Sequence, residues 1–255
     1  MTLHDWIYSV YPADAVINGR WGPLHISVIL LCAAFIAAIC FLRRKDERTH
    51  TRVIQVLALC ILALELARRG INLSRGASDP LALARILLPR PWCAISCWLV
   101  IAAAFAKKKT LYSFAAMNAL LNALVFFAYP NVGFNHRVIL FENFYSIATH
   151  ALLLVSSVSM IALGLTDYRM EKKQVLKMLA MLAGVYAYAG AEILLEIEPD
   201  PLMFLPGSEV QDFLGVGYAP FLLIYTAFLC VYFSSFFLVQ KWLTSRYAKV
   251  RHAAA

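Results

Sequence analysis

Residues 26–42 read ISVILLCAAFIAAICFL, without a charge, and Arg43-Arg44-Lys45 follow at once. A run of about 17 apolar residues is the short end of what crosses a bilayer as a helix. The basic triplet behind it is the signature of a cytoplasmic boundary, because Lys and Arg accumulate on that side. Six further runs follow the same pattern, near 53–69, 87–106, 111–128, 144–165, 175–195 and 213–239. The fold class that this predicts is all-α: one polytopic transmembrane helical bundle of about seven spans over residues 1–255.

The connecting loops assign an orientation. Arg43, Arg44, Lys45, Arg48 and Arg52 follow the first span, Lys107 to Lys109 the third, and Arg169, Lys172 and Lys173 the fifth. These loops are predicted to be cytoplasmic. The segment before the last span is acidic, with Glu196, Glu198, Asp200, Glu209 and Asp212, and the tail after it is basic. An outer N-terminus and a cytoplasmic C-terminus satisfy both. Arg68, Arg69, Arg75 and Arg85 break the rule, since they fall between spans two and three on the predicted outer side. They can snorkel to interfacial phosphates, or form a site for a lipid headgroup or carboxylate, which guanidinium binds bidentately.

Composition excludes a water-soluble domain. The chain is 62% hydrophobic and 15% charged, with a mean hydropathy of +0.69, against roughly 45–50% apolar residues in soluble domains. The net charge of +8 sits at the ends of apolar runs and reads as topology, so no nucleic-acid partner is expected. Cys32, Cys40, Cys60, Cys93, Cys97 and Cys230 all lie inside apolar segments, which speaks for packing rather than a disulfide framework. Residues 1–20 lack a basic n-region, so the first span is expected to persist rather than be cleaved.

Polar residues inside the spans carry the functional signal. With 1.5 Å of rise per residue, Cys93, Asn122 and His150 fall at a common depth of roughly 9 Å below the predicted outer boundary. Asn118 lies one turn deeper, and His25, Glu65 and Glu192 mark the outer ends of their helices. Ionisable side chains in a membrane normally face the bundle interior and pair or line a cavity, so a shared outer cavity is predicted. Taken singly, each has a plainer role: Asn118 and Asn122 as hydrogen bonds between helices, Glu65 as partner of Arg68 or Arg69, Cys97 as packing. A thiol beside an imidazole is a nucleophile beside its base, which makes Cys93 and His150 the candidates for catalysis. No metal-ligand set and no diffusible cofactor are expected.

The order of short motifs adds to this reading. Trp21-Gly22-Pro23-Leu24-His25 opens the first span, Leu64-Glu65 closes the second, and Leu88-Pro89 precedes Cys93. Asn122 through Pro130 end the fourth, His150 lies in the fifth, and Met203-Phe204-Leu205-Pro206 comes before Asp212-Phe213-Leu214-Gly215. Over nearly the whole chain this resembles the YwaF-like family of bacterial integral membrane proteins, which is distantly similar to an animal acyltransferase that loads acyl chains onto ether lysophospholipids through a cysteine. The resemblance implies Cys93 as acyl-accepting nucleophile, His150 as general base, Asn122 positioning a carbonyl or the imidazole, and His25 and Glu65 in support. It also implies a bacterial inner membrane. One departure stands out: Pro91 occupies the place where the family has a histidine two residues before the cysteine.

The function expected first is therefore a lipid acyltransferase-like enzyme acting in the outer leaflet, with membrane lipid and a lysophospholipid as partners. The expected binding residues are His25, Glu65, Arg68, Arg69, Asn118, Asn122 and Glu192. The alternative is a carrier or substrate-binding subunit for a small anionic solute, using the same cavity and the arginines as its anion trap. A scaffold whose polar residues only join helices is the third.

Overall fold

The structure, a computed structural model, describes residues 2–9, 19, 21–129, 133–136, 138–167 and 171–253. Among the described residues ten α-helices follow one another: α1 (Leu3–Tyr8), α2 (Pro23–Cys40), α3 (Glu47–Ser74), α4 (Pro80–Leu87), α5 (Trp92–Ala106), α6 (Lys109–Ala128), α7 (Phe141–Ala162), α8 (Lys172–Leu194), α9 (Glu209–Leu214) and α10 (Tyr218–Ala253). Among the described residues, six helices are long and apolar enough to cross a membrane, and α4 with α5, bent by 55°, makes a seventh candidate. The all-helical bundle of about seven spans is as the sequence predicts.

Local chemistry sets the boundaries. Gly22 caps α2, with Pro23 in the first turn, where a missing amide donor costs nothing. The Asp46 carboxylate caps α3 through the Thr49 amide, and Asp79 caps α4 through the Ala82 amide at 2.8 Å. Two expected spans are interrupted near their starts. The span near 87–106 is broken, because Pro89 and Pro91 lack amide donors and cannot continue a helix from α4. Helix α5 starts only at Trp92, whose amide donates instead to the Pro201 carbonyl at 3.0 Å. The span near 213–239 is also divided: Gly215, with φ of 64°, ends α9 in the left-handed conformation, the geometry that favours glycine.

The core lies around α6 and α7. In the most apolar window of α6, 67% of residues are buried, against 6% for α10, so α6 is central and α10 peripheral. Small side chains let the central helices approach: Ala103 and Ala104 on α5, and Ala115, Ala116, Ala119 and Ala123 on α6, are all buried, as close helix packing in lipid requires. Leu30, Leu31 and Phe35 on α2, and Leu223, Val231 and Leu238 on α10, are exposed and fit a lipid-facing surface.

Cross-helix bonds define two ends. At one, Gln55 of α3 reaches the Ala104 carbonyl of α5 and Thr110 of α6 donates to Gln174 of α8. This is the basic end, where Arg48, Arg52, Lys107 and Lys109 lie. At the other, Arg75 beyond α3 meets Glu142 of α7, and the α4–α5 elbow is stitched to the acidic loop after α8. Arg85 donates to the Glu196 carbonyl at 2.7 Å, and Arg90 pairs with Glu198 at 2.7 Å.

Candidate functional site

The polar residues of the elbow end form local groups joined by short steps. The first is built on α3. Glu65, fully buried, pairs with Arg69 one turn on, the spacing at which helical side chains meet. Arg69 also donates from Nε to the Leu87 carbonyl at 3.1 Å, and from a terminal nitrogen to the Glu65 carbonyl at 3.2 Å. Its guanidinium carbon stands 5.3 Å from the Trp98 ring centre. The Tyr145 hydroxyl of α7 donates to the remaining Glu65 oxygen. Glu65 thus ties α3 to α7, and Arg69 ties α3 to the end of α4.

Arg68 is less committed. Its guanidinium lies 4.8 Å from the Tyr145 ring centre, and Nε is 3.8 Å from Glu142, which also takes Arg75 at 3.2 Å. That Nε is enclosed and completes no hydrogen bond of good geometry. Of the outer arginines in the sequence reading, Arg69, Arg75 and Arg85 are engaged by protein oxygens, and Arg68 is held more loosely, between Glu142 and Tyr145.

The second group surrounds Cys93, the second residue of α5 and half-buried. Cys93 lies within electrostatic reach of Arg68 and Glu65. Trp92 donates its indole N–H to Asn118 at 3.2 Å. Asn122 donates to Ser96 Oγ at 2.8 Å and to the Asn118 carbonyl at 3.0 Å. The two asparagines therefore join α6 to the first turns of α5. Cys97, one turn deeper and buried, neighbours Glu65 and Tyr145.

The third group contains two histidines held in opposite tautomers. His150 Nδ1 lies 2.7 Å from the Ser146 carbonyl; a carbonyl only accepts, so Nδ1 carries the proton and Nε2 presents a lone pair. The ring stacks on Phe126, centroids 3.9 Å apart and planes 9° apart. His25 Nδ1 accepts from the Trp21 amide at 3.1 Å, which puts the proton on its buried Nε2. That nitrogen completes no good hydrogen bond, with the Phe127 backbone as its polar neighbour. The His25 ring sits 4.6 Å from Phe134.

Among the described residues, then, Glu65, Arg68 and Cys93 come together, as do Asn118 and Asn122. No hydrogen bond joins Cys93 to His150; the two are linked in steps through Ser96, Asn122 and Phe126. Glu192, on α8, is buried and its carboxylate completes no good hydrogen bond. Tyr188 is its neighbour one turn back, and Arg90 and Glu198 lie within electrostatic reach. Among the described residues, no three His, Cys, Asp or Glu side chains are placed to hold a metal ion. Sequence reasoning missed Tyr145, Glu142, Trp92, Ser96 and Trp98. Aromatic residues near span ends read as an interfacial belt, and a serine in a helix carries no signal until its partner is seen.

Fold and polar groups together define a multi-pass helical membrane protein with an interrupted helix and a polar cluster at one end of the bundle. The chain belongs to the TMEM164 family, whose pattern matches residues 20–238. No curated protein and no solved structure matches the chain.

Proposed function

We propose that the protein is a lipid acyltransferase-like enzyme that uses Cys93 as nucleophile and His150 as base. The observation that carries this reading is the tautomer of His150, together with the place of Cys93 at the start of α5. Cys93 lies in the first turn of α5 with Arg68 within electrostatic reach, and the helix N-terminus and the guanidinium offset part of the cost that burial and Glu65 impose on a thiolate. His150 is held by Ser146 in the tautomer whose Nε2 can accept a proton. The YwaF-like resemblance assigns the same roles to the same two residues.

In the proposed cycle Nε2 takes the thiol proton, directly or through one water, and Cys93 Sγ forms a bond to the ester carbonyl carbon of a donor phospholipid. Collapse breaks the ester C–O bond; the leaving lysolipid oxygen takes the proton from the imidazolium, and the acyl group remains as a thioester. The hydroxyl of an acceptor lysolipid then gives its proton to Nε2, attacks the thioester carbonyl, and Sγ leaves with the proton. Arg68, within electrostatic reach of Cys93, is the cation nearest the proposed nucleophile and would favour a carbonyl or phosphate oxygen placed beside it. Loose geometry without substrate is common in such pairs. We further propose that the elbow end faces the outer leaflet, an orientation that the basic loops at the other end support, and that the membrane is a bacterial inner membrane, as the YwaF-like resemblance implies.

An anion carrier would need Arg69, Arg75 and Arg85 released from the oxygens that hold them, which counts against that alternative. The test is acyl transfer from labelled phospholipid to a lysophospholipid by the purified full chain in nanodiscs. Cys93→Ala and His150→Ala should each lower transfer by roughly 10²-fold or more. Wild-type membranes without transfer, or variants as active as wild type, would overturn the reading.

A further inference from the structure

The opposite end of the bundle holds a second polar construction that acyl transfer does not use. A cavity of about 470 Å³ is lined by Glu47, Arg48, Thr51, Arg52 and Gln55 of α3, Lys107 at the end of α5, Lys109 and Tyr112 of α6, and Leu165. Its size is within the roughly 300–1,000 Å³ of small-ligand sites. Two helical faces meet across it: 48, 51, 52 and 55 recur at the spacing that puts residues on one side of α3, and 109 and 112 do so on α6.

The cavity has a charged rim and a neutral polar floor. Arg48, Arg52, Lys107 and Lys109 are exposed and share the lining with one carboxylate, Glu47, while Asp46 outside the lining lies within electrostatic reach of Arg48. Among the described residues none of these five lining groups makes an ion pair. The floor includes Tyr112, only 2% exposed, whose hydroxyl has Thr51 beside it yet completes no hydrogen bond of good geometry. Helix α6 also begins here without a side-chain cap, so its first amides point to this end with the positive pole of the helix. A simple fringe of topology-setting cations needs neither a cavity between two helices nor a buried tyrosine hydroxyl beneath it.

We propose that this cavity is a binding site for a dianionic phosphate group. Four lining cations, against Glu47 in the lining and Asp46 beside Arg48, leave a surplus of two positive charges that suits a monoester phosphate better than a singly charged diester, and Tyr112 supplies a neutral donor at depth. The phosphate can belong to a lipid headgroup, since basic pockets between transmembrane helices bind such groups, or to a soluble anion. The proposal is independent of acyl transfer at Cys93.

The test uses the full chain in phosphatidylcholine nanodiscs. One arm adds phosphatidic acid to the disc and counts retained lipid by native mass spectrometry; the other titrates inorganic phosphate calorimetrically. Wild type should bind one probe, and the double variant Arg52→Gln, Lys109→Gln should bind it about tenfold more weakly or less. Tyr112→Phe, which keeps the buried ring, should weaken binding by a smaller factor. Lys241→Gln, an exposed cation on α10 outside the cavity, should leave it unchanged. Retention of phosphatidic acid without phosphate binding assigns the site to a headgroup, and phosphate binding assigns it to a soluble anion. Neither probe binding above the phosphatidylcholine or chloride background, or the double variant binding like wild type, would overturn the proposal.

Discussion

The two ends of the bundle treat charge in opposite ways. At the elbow end Arg69, Arg75, Arg85 and Arg90 each find a protein oxygen, and the carboxylates of Glu65, Glu142 and Glu198 are the counterparts. At the basic end Arg48, Arg52, Lys107 and Lys109 ring a cavity without an ion pair among the described residues. Paired charge in a membrane protein is structural: it fixes α3 to α4 and α7 and so positions the start of α5, where Cys93 lies. Unpaired charge around a cavity is available to a ligand. The same residue types, equally conspicuous in the sequence, therefore do different work at the two ends.

The sharpest way to break this contrast is at Glu65. Glu65→Leu strands the buried Arg69 and removes the acceptor of Tyr145, and loss of one partner of a buried pair costs about 3–5 kcal/mol. Adding Arg69→Met should recover most of that loss in denaturant unfolding of detergent-solubilised protein. If Glu65→Leu unfolds like wild type, the elbow end is not held by paired charge. Asn118→Ala removes the Trp92 acceptor, and hydrogen bonds between membrane helices are worth about 0.6–1.7 kcal/mol; the same unfolding measurement checks it. Arg75→Ala removes an exposed pair with Glu142 and should cost under about 1 kcal/mol, an effect that fades as salt is raised. At the basic end Arg52→Gln with Lys109→Gln should change stability by no more than about 0.5 kcal/mol, even though it removes two charges. A large loss there would show that those cations are structural after all.

The smallest effect is common to both ends and is set by helix caps. The Ala82 amide first, and then Ser78, hold the Asp79 carboxyl below its ordinary value of 3.8. The Thr49 hydroxyl and amide do the same for Asp46 at the basic end. A carboxyl lowered on folding contributes fully above its unfolded value, and that contribution is lost as pH falls through the lower folded one. Acidification into that range should loosen the starts of α3 and α4, seen as faster amide exchange in their first turns. In Asp79→Asn, which caps without titrating, the start of α4 should lose this pH dependence.

Much of the fold was legible because a bilayer demands long apolar runs with charges at their ends, and residues 26–42 show that grammar in its plainest form. The breaks were less legible. Pro91 announces a bend before Cys93, but that Trp92 turns its amide to Pro201 depends on a loop more than a hundred residues away in sequence. In the site, Glu65 with Arg69 is readable from spacing along one helix. The partners Tyr145, Ser96 and Trp98 come from other helices, and periodicity says nothing about which faces meet. The basic cavity was hidden for another reason: Arg48, Arg52, Lys107 and Lys109 already had an explanation as topology signals. The spacing of Thr51 and Gln55 with Arg48 and Arg52 was the clue that a polar face, not only a charge boundary, was present.

The most direct test of the account asks whether an acyl group becomes bound to Cys93. The full chain in nanodiscs is incubated with phospholipid carrying a labelled acyl chain, quenched in acid, and analysed by peptide mass spectrometry with and without hydroxylamine. A hydroxylamine-labile acyl adduct on the Cys93 peptide is predicted, present in Cys97→Ala and lost in Cys93→Ala. A chain that transfers label to lysolipid without any adduct on Cys93, or one that carries no label under conditions of full folding, would contradict it.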